Sequence, residues 1–162
     1  MKPGENEKAG PITDFLVKDH GRLEGLLQSA VAHAGSVDQG TYDQFRAGLL
    51  RHIGMEEKIL LPAAQRLRGG EPLSIASLLM PPPSAAVIAT IRAVLKVHNT
   101  IEEGPGGLYE TCDELAGSEA AQLLTKLQAA SELAVLPCSD SPAVMPAIQR
   151  ALERAGYDFH KE

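Results

Sequence analysis

The sequence predicts an all-α protein, and three observations carry that prediction. Alanine and leucine are abundant while aromatic residues make up 4% with no tryptophan, a composition that favours helices over sheets. Apolar residues recur in steps of three and four along successive stretches, the period of one helix face. Turn and cap signals punctuate those stretches at Gly35, Gly69-Gly70, Pro81-Pro82-Pro83 and the GPGG of residues 104 to 107.

After a polar start, a first helix is expected from Thr13 as N-cap to about Ala34, closed by Gly35, with the stripe Ile12, Leu16, His20, Leu23 and Leu27. A second opens at Thr41-Tyr-Asp-Gln44, which reads as a capping box, and its stripe runs Phe45, Leu49, His52, Glu56, Ile59, Ala63. Pro62 should kink this helix, because apolar periodicity continues to Leu67 before Gly69-Gly70. Pro72 to Leu79 leaves room for only two turns. Ser84 then caps a long helix with Ile88, Ile91, Leu95, His98 and Glu102 in phase. GPGG bends the chain, and Leu108 to Leu115 resumes with Tyr109 and Cys112 on the apolar side. Two tail helices are expected, one after Ser118 that fades before Pro137 and one from Ser141-Pro142 to Gly156. Their stripe of Leu123, Leu124, Leu127, Val144, Ile148 and Leu152 needs a surface to cover.

At 162 residues and 17.2 kDa the chain is long enough to bury a sizeable core. With 21 Asp+Glu against 15 Lys+Arg the net charge is −6, which argues against a nucleic-acid or anionic-membrane partner. No apolar stretch approaches the ~20 residues of a membrane span, and the first residues are polar with no signal-peptide core. A cytoplasmic location is expected. Cys112 and Cys138 make no disulfide framework and read as buried small apolar groups. The chain lacks a nucleophile–base arrangement, a phosphate-cradling loop and a Cys-x-x-Cys, so no catalytic residue is assigned.

The chemistry sits in the histidines. Only five are present, yet HIGMEE at residues 52 to 57 and HNTIEE at 98 to 103 both spell His-x-x-x-Glu-Glu. A histidine and a carboxylate four residues apart share one helix face, and here it is the apolar face. An unpaired buried carboxylate costs several kcal/mol, about enough to demand hydrogen bonds, a cation or a proton. Arg46, Arg51, Lys58, Arg92 and Lys96 fall off these stripes, so no cation is on hand. A single histidine on an apolar stripe is more often a hydrogen-bonded core residue than a ligand. Three helices each aiming one inward, two with an in-phase glutamate, point to a metal site of nitrogen and oxygen donors, suited to iron, zinc, manganese or copper. His33 reads as a partner of the first helix's C-terminal dipole, and His160 as a solvated terminal residue.

These segments resemble the hemerythrin-like, or HHE cation-binding, family. DHGRLEGLL around His20 is similar to its first-helix Asp-His signature, HIGMEEKILLP to its second-helix motif and HNTIEEGPGGLY to its fourth-helix motif. The resemblance spans residues 12 to 116. It implies an up-down four-helix bundle with a shortened third helix, around a non-haem, di-iron type site that binds or senses O2, NO or peroxide. It also implies His20, His52 and His98 as terminal metal ligands, with Glu56 and Glu102 bridging. Glu57 and Glu103 fall beside the stripe and read as solvated or behind the ligands. Residues 117 to 162 would be a helical extension packed on that bundle. The family supplies a further histidine from its third helix, and PLSIASLL has none. An open position, a water, Glu24, the tail or the loss of one ion would close the gap; a single iron, zinc or manganese ion is the alternative to a di-iron pair. Two other readings remain: a bundle without a redox metal that acts through protein partners, and a metal-dependent enzyme or repair factor.

Overall fold

The computed structural model describes residues 9–33, 35–60, 62, 79, 81–132 and 134–154. All regular structure among them is helical: α1 (Pro11–Ala30), α2 (Gln39–Met55), a π-helical turn (Glu56–Leu60), α3 (Ala85–Glu103), α4 (Leu108–Ala116), a 3-10 turn (Gly117–Glu119), α5 (Ala120–Gln128) and α6 (Val144–Arg154). None of these helices is long and apolar enough to cross a membrane.

The start of α1 is capped from across the molecule. Pro11 occupies the first turn, where its missing N–H costs nothing. The carboxylate of Asp113 in α4 accepts from the Ile12 N–H at 3.0 Å, the Thr13 N–H at 2.8 Å and the Thr13 hydroxyl at 2.7 Å. Thr13 is thus a capped residue rather than the cap. Gly10 leaves room for this contact, since a Cβ there would lie 2.2 Å from the Asp113 carboxyl carbon. The helix also ends earlier than its apolar stripe suggested, at Ala30, whose carbonyl accepts from the Asp38 N–H at 2.8 Å. Gly35 takes a positive φ of 81° in the connection.

Asp38, and not Thr41, caps α2: its Oδ1 accepts from the Thr41 N–H at 2.7 Å. The larger departure is the π turn at the other end, which widens the coil and shifts the phase. Leu60 therefore enters the core while Ile59 is only half-buried. Ser84 caps α3 as expected, accepting from the Val87 N–H at 3.2 Å. At the bend between α3 and α4, a Cβ on Gly107 would meet the Glu102 carbonyl at 2.5 Å and the Ile101 carbonyl at 2.8 Å. Only glycine allows α4 to fold back this closely. α6 starts at Val144, whose N–H bonds the Ser141 carbonyl, so Pro142 precedes the helix. The continuation of α2 to Leu67 with its end at Gly69-Gly70, residues 72–78 of the short third helix, Gly156 and His160 lie outside the described residues.

Two apolar clusters form the core. One gathers Leu23, Leu27, Phe45, Ile91, Ile148 and Leu152 from α1, α2, α3 and α6; the other gathers Ile12, Leu16, Met55, Leu60, Tyr109 and Leu127. Of the remaining tail stripe, Leu123, Leu124 and Val144 are half-buried. Following α1, Leu16 belongs to the second cluster and Leu23 to the first, with His20 between them; along α2, Leu49 and Met55 flank His52 in the same way. A polar layer is sandwiched at the seam of the two cores. Arg46, expected off the stripe, is buried, but it serves the chain path: its guanidinium donates to the Leu79 carbonyl at 3.1 Å, the Leu136 carbonyl at 2.9 Å and Asp43 at 3.1 Å. Arg51 likewise donates to the Ala130 carbonyl at 2.6 Å.

Candidate metal centre

Four side chains from three helices and the π turn converge in that polar layer. His20 of α1, His52 of α2, Glu56 of the π turn and Glu102 of α3 are all buried, and each offers one ligand atom within 4.8 Å of the others. The two imidazole rings are 4.5 Å apart, tilted by 42°.

Both rings are held the same way. His52 Nδ1 is 2.9 Å from Asp19 Oδ2, and Asp19 is itself pinned by the Arg22 Nε–H at 2.8 Å. His20 Nδ1 bonds the carboxylate of Glu103. With each Nδ1 occupied by an outer carboxylate, each Nε2 is turned toward the centre. There the His52 Nε2 lies 3.2 Å from Glu56 Oε1, and the His20 Nε2 lies 3.6 Å from Glu102 Oε2. A carboxylate behind an imidazole fixes its tautomer and raises its basicity, the arrangement that usually backs a metal-bound histidine.

The hydroxyl of Tyr109 from α4 reaches all four groups. Its Oη is 2.5 Å from Glu56 Oε1, 3.0 Å from Glu102 Oε2, 3.1 Å from His20 Nε2 and 3.2 Å from His52 Nε2. It has one proton for two carboxylates, and the shorter distance assigns it to Glu56. Burial together with the facing charges of Glu56 and Glu102 pushes the phenol far above its ordinary pKa.

The charges in the layer are set by burial working against these bonds. Burial opposes the imidazolium of His52, but hydrogen bonds to Asp19 and Glu56 outweigh it and raise its pKa to about 9. Burial likewise opposes the charge on Asp19, and the bonds from His52 and Arg22 overcome it, holding it down at about 2. His20 is shifted the other way, its pKa lowered by burial and by the neighbouring His52 charge. The two inner glutamates split. Burial disfavours charge on both, but His52 and Tyr109 keep Glu56 below the ordinary carboxylate range, while burial and the charge of Glu56 push Glu102 above it.

His98 lies just outside this group. It is half-buried, and its Nδ1 bonds Glu102 Oε2 at 2.9 Å. Burial opposes its charge, and the bond to Glu102 raises its pKa nonetheless. Glu24 is exposed, bonded by Gln28 at 3.0 Å and 3.8 Å from Arg92, on the rim of a cavity rather than among the four. That cavity, about 640 Å³, opens beside the cluster between α1, α2 and α3, with His20, His52, Glu56 and His98 in its wall and Arg92 and Lys96 also lining it. Glu57 is exposed, and so is His33, which stands beyond the end of α1 and beside Asp38. Cys112 is buried and Cys138 half-buried, both free thiols; burial raises Cys112 to about 11.

Sequence reasoning gave no role to Asp19 or Tyr109. Asp19 precedes His20, and neighbours on a helix point about 100° apart, so it faces α2 while His20 faces the centre. Nothing in the local sequence says which neighbour it meets. Tyr109 lay in phase with the apolar stripe of α4 and read as core. The signal that could have found it is a hydroxyl placed in a layer already rich in buried carboxylates.

No known protein family, curated protein or solved structure matches this chain.

Proposed function

We propose that the chain is a helical metal-binding protein of hemerythrin-like kind, holding non-haem iron at His20, His52, Glu56 and Glu102, with His98 beside them. The observation that carries this reading is the pair of imidazoles whose Nδ1 atoms rest on Asp19 and Glu103 while their Nε2 atoms turn to a common point. Two imidazole nitrogens and two carboxylate oxygens suit ferrous iron, with manganese and zinc as competitors. Iron bound there would supply redox chemistry and an exchangeable coordination position. Around it the chain's own groups do the rest: Asp19 and Glu103 orient the rings, the two apolar clusters exclude water from either side, and the cavity against His98 admits a small ligand such as O2, NO or peroxide. Residues 12–116 are read as the metal-holding unit, in up-down bundle form, and 117–162 as an extension packed on it; Ile148 and Leu152 in the core beside Leu27 support the packing of its described part.

Anaerobic titration of metal-free protein with ferrous iron, paired with elemental analysis, tests the proposal. Near one tightly held ion per chain is expected. No binding by the wild type, or binding unchanged in a His52→Ala, Glu56→Ala double variant, refutes it. The cavity favours a second reading, because about 640 Å³ exceeds what a diatomic needs and falls in the ordinary range for small-molecule sites. In that reading the metal acts on an organic substrate carrying negative charge toward Arg92 and Lys96.

A further inference from the structure

We propose that Tyr109 is itself a ligand: its Oη is a fifth donor to the metal held by His20, His52, Glu56 and Glu102. The inference rests on the metal reading above and adds a donor that the His-x-x-x-Glu-Glu pattern does not contain. Donor atoms that occupy adjacent positions around a small divalent or trivalent ion lie about 3 Å apart, because each sits about 2.1 Å from the ion at a right angle to its neighbour. Tyr109 Oη is 2.5, 3.0, 3.1 and 3.2 Å from the four ligand atoms of the other residues. At that spacing from all four, the phenol oxygen is within reach of an ion that they would hold. The four ligand atoms themselves lie within 4.8 Å of one another, compatible with the about 4.2 Å separating opposite donors in such a shell.

The backbone shows how the phenol gets there. Gly107 lets α4 fold back against the last turn of α3, and Tyr109 follows two residues later, fully buried, with His20 at a ring distance of 5.6 Å. Among the described residues, each hydrogen bond of the hydroxyl goes to a member of the cluster. On ligation the O–H bond is exchanged for an O–metal bond, and the proton passes to solvent. A phenolate donor favours the ferric over the ferrous ion, so the fifth ligand also biases the site toward the oxidised metal.

The test is optical. Wild-type protein loaded with ferric iron should show a visible phenolate-to-iron charge-transfer band and tyrosinate modes in resonance Raman excited within it. Tyr109→Phe, loaded to the same iron content by elemental analysis, should lack both. Tyr42→Phe and Tyr157→Phe should keep them, and these two variants assign the band even if Tyr109→Phe fails to fold. Iron bound at full occupancy without the band, or a band that survives in Tyr109→Phe, overturns the inference while leaving the metal site standing. A wild type that binds no iron overturns both.

Discussion

The two His-x-x-x-Glu-Glu motifs are spelled alike and used differently. In the first, His52 is the inner residue, 2% exposed, and the second glutamate, Glu57, faces solvent. In the second, His98 is the outer residue, and the second glutamate, Glu103, swings to α1 and holds His20. The position placed alike in both is the first glutamate, Glu56 or Glu102, each buried at the centre, although burial and their neighbours push the two carboxyls in opposite directions. Spacing fixes which residues share a face; what packs against the next face decides their job. α1 lies alongside Glu103, whereas the side of the π turn that carries Glu57 is open.

The sharpest way to break this comparison is at the paired glutamates of the first motif. Glu56→Ala removes a donor oxygen and leaves the His52 imidazolium and the Tyr109 hydroxyl without their shared acceptor. Iron affinity, measured by competition with a chelator, should fall by more than 100-fold. Glu57→Ala should change it less than twofold. Equal losses would mean the wrong face has been assigned to the metal.

Next come the two outer carboxylates, which test whether Glu103 does for His20 what Asp19 does for His52. Asp19→Asn and Glu103→Gln keep the donor set but weaken the support behind each ring. Each should lower iron affinity by about 10- to 100-fold, the usual cost of losing such a partner. Asp19→Asn should sit at the high end, because Asp19 is buried and braced by Arg22 whereas the Glu103 side chain is 32% exposed. An effect in Asp19→Asn with none in Glu103→Gln would show that the two rings are not held alike.

The difference in depth also has a pH signature in the metal-free protein. The His52 pKa is raised from 6.5 to about 9, so its contribution to stability is complete below pH 6.5 and is lost as pH rises through 9. The Asp19 pKa is lowered from 3.8 to about 2, so its contribution is present above pH 3.8 and is lost as pH falls through 2. Both describe largely one interaction, worth about 2 to 3 kcal/mol. Urea unfolding midpoints should plateau between about pH 4 and 6.5 and decline toward pH 9, a decline that Asp19→Asn should flatten. A flat profile in the wild type would show that His52 is neutral without metal.

Much of this was legible beforehand, and the limits are physical. The apolar stripes placed His20, His52, Glu56 and Glu102 in the core because helix phase is local. Pro62 signalled an irregularity in this helix, but not that it takes the form of a π turn over Glu56–Leu60 that shifts the phase, and so Ile59 stood where Leu60 belongs. The cap on α1 was missed for a different reason: Asp113 lies 100 residues from Thr13, and no local rule connects them. Asp19 and Tyr109 shared that fate, whereas Glu103 had been read as solvated or behind the ligands and holds His20 from behind. Their roles depend on which helix lies opposite, which a single sequence does not record.

The smallest effect should come from His98, and it decides how many ions the layer would hold under the proposed function. His98 is half-buried and touches the cluster only through Glu102, 2.9 Å from its Nδ1. With a single ion at the four inner residues, His98→Ala loses one hydrogen bond to a ligating carboxylate. The carboxylate would keep its own bond to the ion. Iron affinity should then drop less than tenfold, under about 1.4 kcal/mol, with the stoichiometry unchanged. With two ions bridged by the glutamates, His98 would be the terminal nitrogen of the outer one, and its loss would remove an entire equivalent of iron. Anaerobic ferrous titrations of wild type and His98→Ala side by side separate the cases by end-point rather than by slope. An end-point near one ion in both proteins supports the inner-four site; a fall from two to one would make the second motif an equal partner of the first.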